Sequence, residues 1–425
     1  MSICRKGRII VPMKMNATQL YLIMRFITAL ANATMFTTYA VFYIATLRLS
    51  PLELLIVGTV LELTVVLFEG VTGVVADTYS RRLSIIVGTF VLGSGFALQG
   101  VIGPLQEWVP FLPVLGWVLL AQVFFGVGHT FISGADTAWI ADEVGEKSLG
   151  SLFMRAKRVS LVATMAGIGL SVGLSTLGTQ LPYFVGGLMY VALGLFLIFF
   201  MKEKGFTPRK REKDSSQWKE MKTTWLSGVK VVRSQPILLL ILIVTLFSGA
   251  ASEGYDRLRE AHLITDVGFP KSIPFSMAVW FGVIAALTAF LGLFAVKFTE
   301  KRLDVNNERA VMVGMFVLTS LRIVLLLSFA LSPNFWWALS SLLLIGVIEA
   351  ISSPLYDTWL NLNIPSNVRA TVLSMLSQSN ALGQTAGGPV VGWIGSRVSI
   401  RASLIVAAVL LSPIVYVYGK AMRKK

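Results

Sequence analysis

Twelve apolar runs recur along the chain, each long enough to cross a hydrocarbon layer about 30 Å thick as a single helix. The spans read as 18–46, 51–76, 83–103, 112–140, 152–176, 181–201, 236–264, 274–297, 309–331, 334–360, 368–392 and 399–419. Hydrophobic residues make up 55% of the 425 positions and charged residues 14%. A soluble domain of this length would need a larger charged surface. The expected fold class is therefore an all-α membrane protein with twelve transmembrane helices. No cleavable signal peptide is expected, because the first run continues into a full span without a cleavage site. Cys4, the lone cysteine, excludes an intramolecular disulfide. Together with His129 and His262, the two histidines, it makes no convincing metal site, so neither a metal nor a cofactor is expected.

Lys and Arg fall almost entirely on one side of the predicted spans. That side takes Arg5, Lys6, Arg8 and Lys14, then Arg81 and Arg82, Lys147 to Arg158, the linker, Lys297 to Arg309, Arg369 and the Lys420 to Lys425 tail. The other side has Arg48, Lys271, Arg397 and Arg401. Short loops rich in Lys and Arg stay in the cytoplasm, which puts both termini inside. The net charge of +15 then reflects topology and contact with anionic lipid, and gives no support to nucleic-acid binding.

The predicted domains are a basic tail (1–17), a first six-helix bundle (18–201), a polar linker (202–235), a second bundle (236–419) and a short tail (420–425). Met13 and Met15 offer alternative starts within the first tail. Within the linker, Gln217 to Val232 has the pattern of an amphipathic surface helix. An ungapped shift of 220 positions sets Gly126 on Gly346, Ser133 on Ser353, Trp139 on Trp359 and Gly167 on Gly387. The halves thus read as pseudo-symmetric copies.

Polar stripes mark the candidate cavity. Span 1 repeats Thr18, Tyr21, Arg25, Thr28, Asn32 and Tyr39 every three or four residues, or multiples of that step, on one helix face. Span 7 answers with Thr245, Ser248 and Ser252, and spans 4 and 10 carry His129 and Glu349 at matching depth. Such residues serve either as polar contacts between packed helices or as the central site of a carrier with parallel repeats. Aromatic side chains, Tyr39, Tyr255 and Trp280, complete the proposed substrate cavity. Ionisable groups inside a span are costly and mark function. On that ground Glu349, Glu62, Glu69, Glu253 and His129 are the candidates for proton coupling. Glu253, Asp256, Arg257, Arg259 and Glu260 can also pair among themselves at one-turn spacing near the outer end of span 7, which is the preferred account of Asp256 and the two arginines.

The connection between spans 2 and 3 reads Gly73-Val74-Val75-Ala76-Asp77-Thr78-Tyr79-Ser80-Arg81-Arg82. It resembles the cytoplasmic signature of the major facilitator superfamily, with Ser80 where the family usually has glycine. Glu69-x-x-Thr72-Gly73, Gly134-x-Asp136-x-x-Trp139-x-x-Asp142 and Glu253-Gly254-Tyr255-Asp256-Arg257-Leu258 are similar to a branch with many drug:proton antiporters. Two departures stand against that branch: Gln122 occupies the place of an arginine, and span 5 lacks a Gly-Pro pair.

The resemblance implies two facing six-helix bundles, alternating access, and a gating cluster of Gly73, Asp77, Arg81, Arg82, Asp136 and Asp142. It further implies that Asp77→Asn abolishes transport without lowering expression. The function expected is proton-driven efflux of amphipathic small molecules or drugs by a monomer, with protons and membrane lipids as its other partners. The alternative is a proton symporter importing a small metabolite, which Arg25 and Arg322 would serve if its substrate were anionic. A non-transporting receptor is the reading from another class, and no nucleophile-and-base cluster suggests an enzyme.

Overall fold

The computed structural model describes residues 15–206, 236–302, 307–363 and 369–423. Most of the predicted linker, including the whole of Gln217 to Val232, lies outside the described residues. Among the described residues, twelve long helical units follow in order. They are α1 (Ala17–Thr46), α2 (Pro51–Thr78), α3 (Arg81–Gly100), α4 (Val114–Val144), α5 (Glu146–Leu177) and α6 (Leu181–Phe200) in the first half. The second half has α7 (Pro236–Val267), α8 (Met277–Arg302), α9 (Glu308–Ala330), α10 (Phe335–Asn363), α11 (Arg369–Arg397) and α12 (Ile400–Arg423). Every unit matches a predicted span, with ends displaced by a few residues. The short helix Ile102–Trp108 in the α3–α4 connection was not predicted.

Local sequence sets the helix starts. Asn16 with Gln19, and Ser50 with Glu53, form capping boxes that satisfy the first free N–H groups of α1 and α2. Ser80 caps α3 by accepting from the Leu83 N–H at 3.0 Å, which gives the unusual serine in the signature a structural task. α4 breaks at Ser133–Gly134, where Gly134 takes φ +74°, a conformation that disfavours a side chain. Both α1 and α7 end in a π-helical turn, Val41–Thr46 and His262–Val267. These turns lie at nearly the same offset as the sequence repeat.

The packing repeats as well. In the first half α1 packs on α5, α2 and α3 on α4, and α3 on α6; in the second, α7 packs on α11, α8 and α9 on α10, and α9 on α12. Adding six to each first-half pair gives the second-half pair, as a pseudo-twofold relation requires. Glycines bring the main pairs close. A β-carbon on Gly167 of α5 would sit 2.7 Å from the Leu30 carbonyl of α1, and one on Gly387 of α11 would sit 2.7 Å from Ala250 Cα of α7.

The halves meet through α2 with α11 and α7, and through α5 with α8. The contacts cluster on the face away from the chain termini. There Leu52 N–H donates to Ser396 Oγ at 3.0 Å, and Tyr39 Oη donates to Glu260 Oε2 and to the Asp256 carbonyl, both at 2.9 Å. Among the described residues these are the hydrogen bonds that join the halves. The face that carries the termini, here the basic face, stands open.

Candidate functional site

A cavity of about 500 Å³ opens between the halves toward the basic face. Glu62 and Glu69 of α2 and His129 and Ser133 of α4 line its first-half wall; Thr245 of α7, Tyr356 of α10 and Asn380 and Gln384 of α11 line the other. Glu62 and Glu69 are seven residues apart and share one helix face. Neither carboxyl group makes a hydrogen bond or ion pair among the described residues.

Thr245, Tyr356 and Asn380 also border a second cavity of about 520 Å³, which lies wholly within the second half. Thr245 and Tyr356 hydroxyls hydrogen-bond at 2.5 Å on the boundary. Ser248, Ser252, Asp256, Arg322 and Glu349 line this space. Arg322 Nη2 donates to Glu349 Oε1 at 2.7 Å, so the central carboxyl of α10 has a guanidinium partner from α9. Glu349 also borders a third cavity of about 390 Å³, with Tyr255, Arg259 and Glu260 of α7 and Ala33, Phe36 and Thr37 of α1.

The predicted α1 stripe turns into the first half. Arg25 pairs with Asp136 of α4 at 3.4 Å, and Asn32 accepts from Tyr190 of α6 at 2.8 Å. Thr28 lies half-buried between them on the same face. Tyr39 belongs to the closed seam. Trp280 is buried in an aromatic cluster with Phe275, Phe335 and Trp336, apart from the three cavities. Glu253 also sits in the seam, paired with Arg257 at 3.0 Å. Arg259 pairs with Glu260 at 2.7 Å and with Asp256 at 3.7 Å, the local pairing expected of this segment.

The signature residues form one cluster inside the first half. Arg81 bridges Asp142 of α4 and Asp77 of α2, the latter at 3.8 Å with Asp77 half exposed. Arg82 instead donates to the Met201 and Ile198 carbonyls at the end of α6. A residue that motif reading missed organises this cluster: Glu203 accepts from Ser80 Oγ at 2.6 Å and from the Arg81 and Arg82 N–H groups at 2.8 and 3.1 Å. A β-carbon on Gly73 would meet nothing within 4 Å, because the seam beside it is open. The Asp77–Arg81 pair is exposed and weak, of order 0–1 kcal/mol. Asp77→Asn is therefore expected to leave thermal stability within about 1 kcal/mol of wild type while transport is lost. Wild-type uptake rates in the variant would refute the gating role.

The Major Facilitator Superfamily model matches residues 21–387. The chain belongs to the major facilitator superfamily. A curated relative described as an uncharacterised MFS-type transporter, YxaM of Bacillus subtilis (strain 168), is 26% identical over 373 residues, covering 86% of each chain. Among solved structures, a point mutant of the nucleoside transporter NupG superposes with a TM-score of 0.74 at 14% identity, over 96% of this chain and 100% of that one. A bacterial homologue of the lysosomal transporter Spinster, inward-facing and unoccupied, gives 0.69 at 14% identity over 96% of both chains. These likenesses show the major facilitator fold. The chain is thus a multi-pass membrane transporter of that superfamily.

Proposed function

We propose that this carrier is a proton-driven antiporter exporting amphipathic organic compounds, cationic ones foremost, from the bacterial cytoplasm. The charge inventory of the cavities carries the reading. The arginines that line the three cavities, Arg322 and Arg259, are already paired with Glu349 and with Glu260 and Asp256, and Arg25 is paired with Asp136 inside the first half. Glu62 and Glu69 face the open cavity without a partner among the described residues. An anion-importing symporter would want the reverse.

Unpaired carboxylates give antiport by competition. An ionised carboxylate near mid-membrane is costly unless neutralised. A proton or a cationic substrate can neutralise it, and one excludes the other. With the cavity open to the basic face, which the positive-inside rule assigns to the cytoplasm, substrate displaces the proton there. On the other side the proton displaces substrate. Apolar neighbours such as Leu61, Val65, Phe125 and Leu376 suit the hydrophobic part of the ligand. The linker joins the two rocking halves, Asp77 and Arg81 latch the basic face when it shuts, and the protein acts as a monomer in the inner membrane.

Everted vesicles accumulating ethidium under an acid-inside gradient test this. Wild type is expected to accumulate the dye until a protonophore is added, and Glu62→Gln to lose at least tenfold of that uptake, with Glu69→Gln intermediate. Gradient-driven uptake by Glu62→Gln at the wild-type rate would end the proposal.

A further inference from the structure

One carboxyl is withheld from the open cavity. Glu253 of α7 is 3% exposed and makes its ion pair with Arg257 inside the closed seam. Both groups lie flat on Gly58 of α2, in the other half of the molecule. A β-carbon on Gly58 would take the space of Glu253 Oε1 and come within 2.7 Å of Arg257 Nε. Gly388 of α11 closes the notch on a further side, where a β-carbon would stand 3.4 Å from Glu253 Cγ. Among the described residues the charged and titratable groups around the notch are Arg257 on the same helix, Glu62 one turn below Gly58 on α2, Tyr39 and Tyr43 on α1, and Tyr183 of α6 stacked on Tyr43. α11 brings no titratable side chain between Ala386 and Gly392, and Thr385 lies one turn before Gly388.

We infer that Glu253 is the proton acceptor for the face opposite the termini, and that it hands the proton to Glu62 as the seam shuts. The inference rests on the proton antiport proposed above. Alternating access requires the α2, α7 and α11 seam to part when the basic face closes. Parting lifts Glu253 off Gly58 and exposes it to the opposite face, at the time when Glu62 and Glu69 lose their opening to the basic face. Access of Glu253 and access of the α2 carboxyls therefore alternate in antiphase.

Closure supplies the direction. In the open seam, Glu253 carboxylate takes a proton from water, and Arg257 is left hydrated and unpaired. Shutting the seam in that form would bury an uncompensated guanidinium against Gly58, a strongly unfavourable arrangement. Moving the proton to Glu62, about 6 Å of helix rise below Gly58, restores the Glu253–Arg257 pair and lets the seam close. The proton then sits on a group that the basic face can reach, where substrate displaces it.

The test is Glu253→Gln in proteoliposomes, read as two rates. One is ethidium transport driven by a pH gradient, and the other is ethidium exchange at equal pH. Gradient-driven transport is expected to fall at least tenfold, and exchange by less than threefold. Acceleration of transport by acid on the opposite face should disappear. Should Arg257, left without its partner, prevent folding, Glu253→Gln/Arg257→Gln removes both charges and is expected to show the same split. Glu253→Asp, which keeps a carboxyl, should restore the response to acid. Full gradient-driven transport in either glutamine variant overturns the inference. If Glu62→Gln loses coupling while Glu253→Gln keeps it, this inference alone falls; if both keep it, the antiport reading falls with it.

Discussion

Gly383→Leu is expected to abolish the folded carrier. A β-carbon at this position of α11 would collide with the Leu246 carbonyl oxygen of α7 and lie 3.0 Å from the Ala250 amide. Gly249 of α7 meets the Asn380 carbonyl in the same close approach, and Gly387 continues it one turn on. The obstacles are backbone atoms, so no rotamer change relieves them. One added methylene in a well-packed core costs about 1–3 kcal/mol. Leucine adds a whole branched side chain, and the helices must separate to hold it. α11 cannot retreat, because its other side carries the seam with α2. The loss should be comparable to the roughly 5–15 kcal/mol that holds a typical protein together. Size-exclusion chromatography of the detergent-solubilised variant should show no monodisperse peak. Gly173→Leu in α5, where a β-carbon meets nothing within 4 Å, should keep the wild-type profile. A monodisperse Gly383→Leu protein with wild-type stability would mean that α7 and α11 do not pack as described.

That seam explains what the sequence could and could not disclose. Span positions were readable because burial in lipid demands about 20 apolar residues wherever a helix crosses. α11 met that demand least well: eleven of the twelve helices are apolar enough by composition, and α11 is the exception. Its Ser377, Asn380 and Gln384 follow an i, i+3, i+7 pattern and line the cavity, a signal available in the sequence that the stripes of spans 1, 4, 7 and 10 overshadowed. The stripe of α1 was visible, but periodicity gives a face without saying what it meets. Tyr190 and Asp136 claim Asn32 and Arg25 from within the first half, and α1 presents Ala33, Phe36 and Thr37 to the cavity instead. Partners distant in sequence were the least legible. Glu203 lies 122 residues from the Arg81 N–H it accepts from, and no local motif marks it.

The Arg322–Glu349 pair makes the second large prediction, because it divides two roles that the sequence left fused. Arg322→Ala removes the guanidinium and leaves a carboxylate at the junction of two cavities. Breaking a buried pair costs about 3–5 kcal/mol. The Glu349 side chain is 34% exposed, so water from the cavities offsets part of the loss, and about 3 kcal/mol is expected. Arg322→Ala/Glu349→Gln leaves no orphaned charge and should recover about 2 kcal/mol of it. The shortfall from additivity in this cycle is the coupling between the two residues. Thermal unfolding of the single and double variants in detergent measures it. Arg322→Met/Glu349→Leu, which fills the space with apolar side chains, should equal or exceed the double variant in stability. Additive losses in the cycle would mean that the two side chains are not paired in the resting carrier. Coupled losses would leave Glu349 held as a partner of Arg322 in the resting state, with Glu62 and Glu69 as the carboxyls free to exchange a proton for substrate.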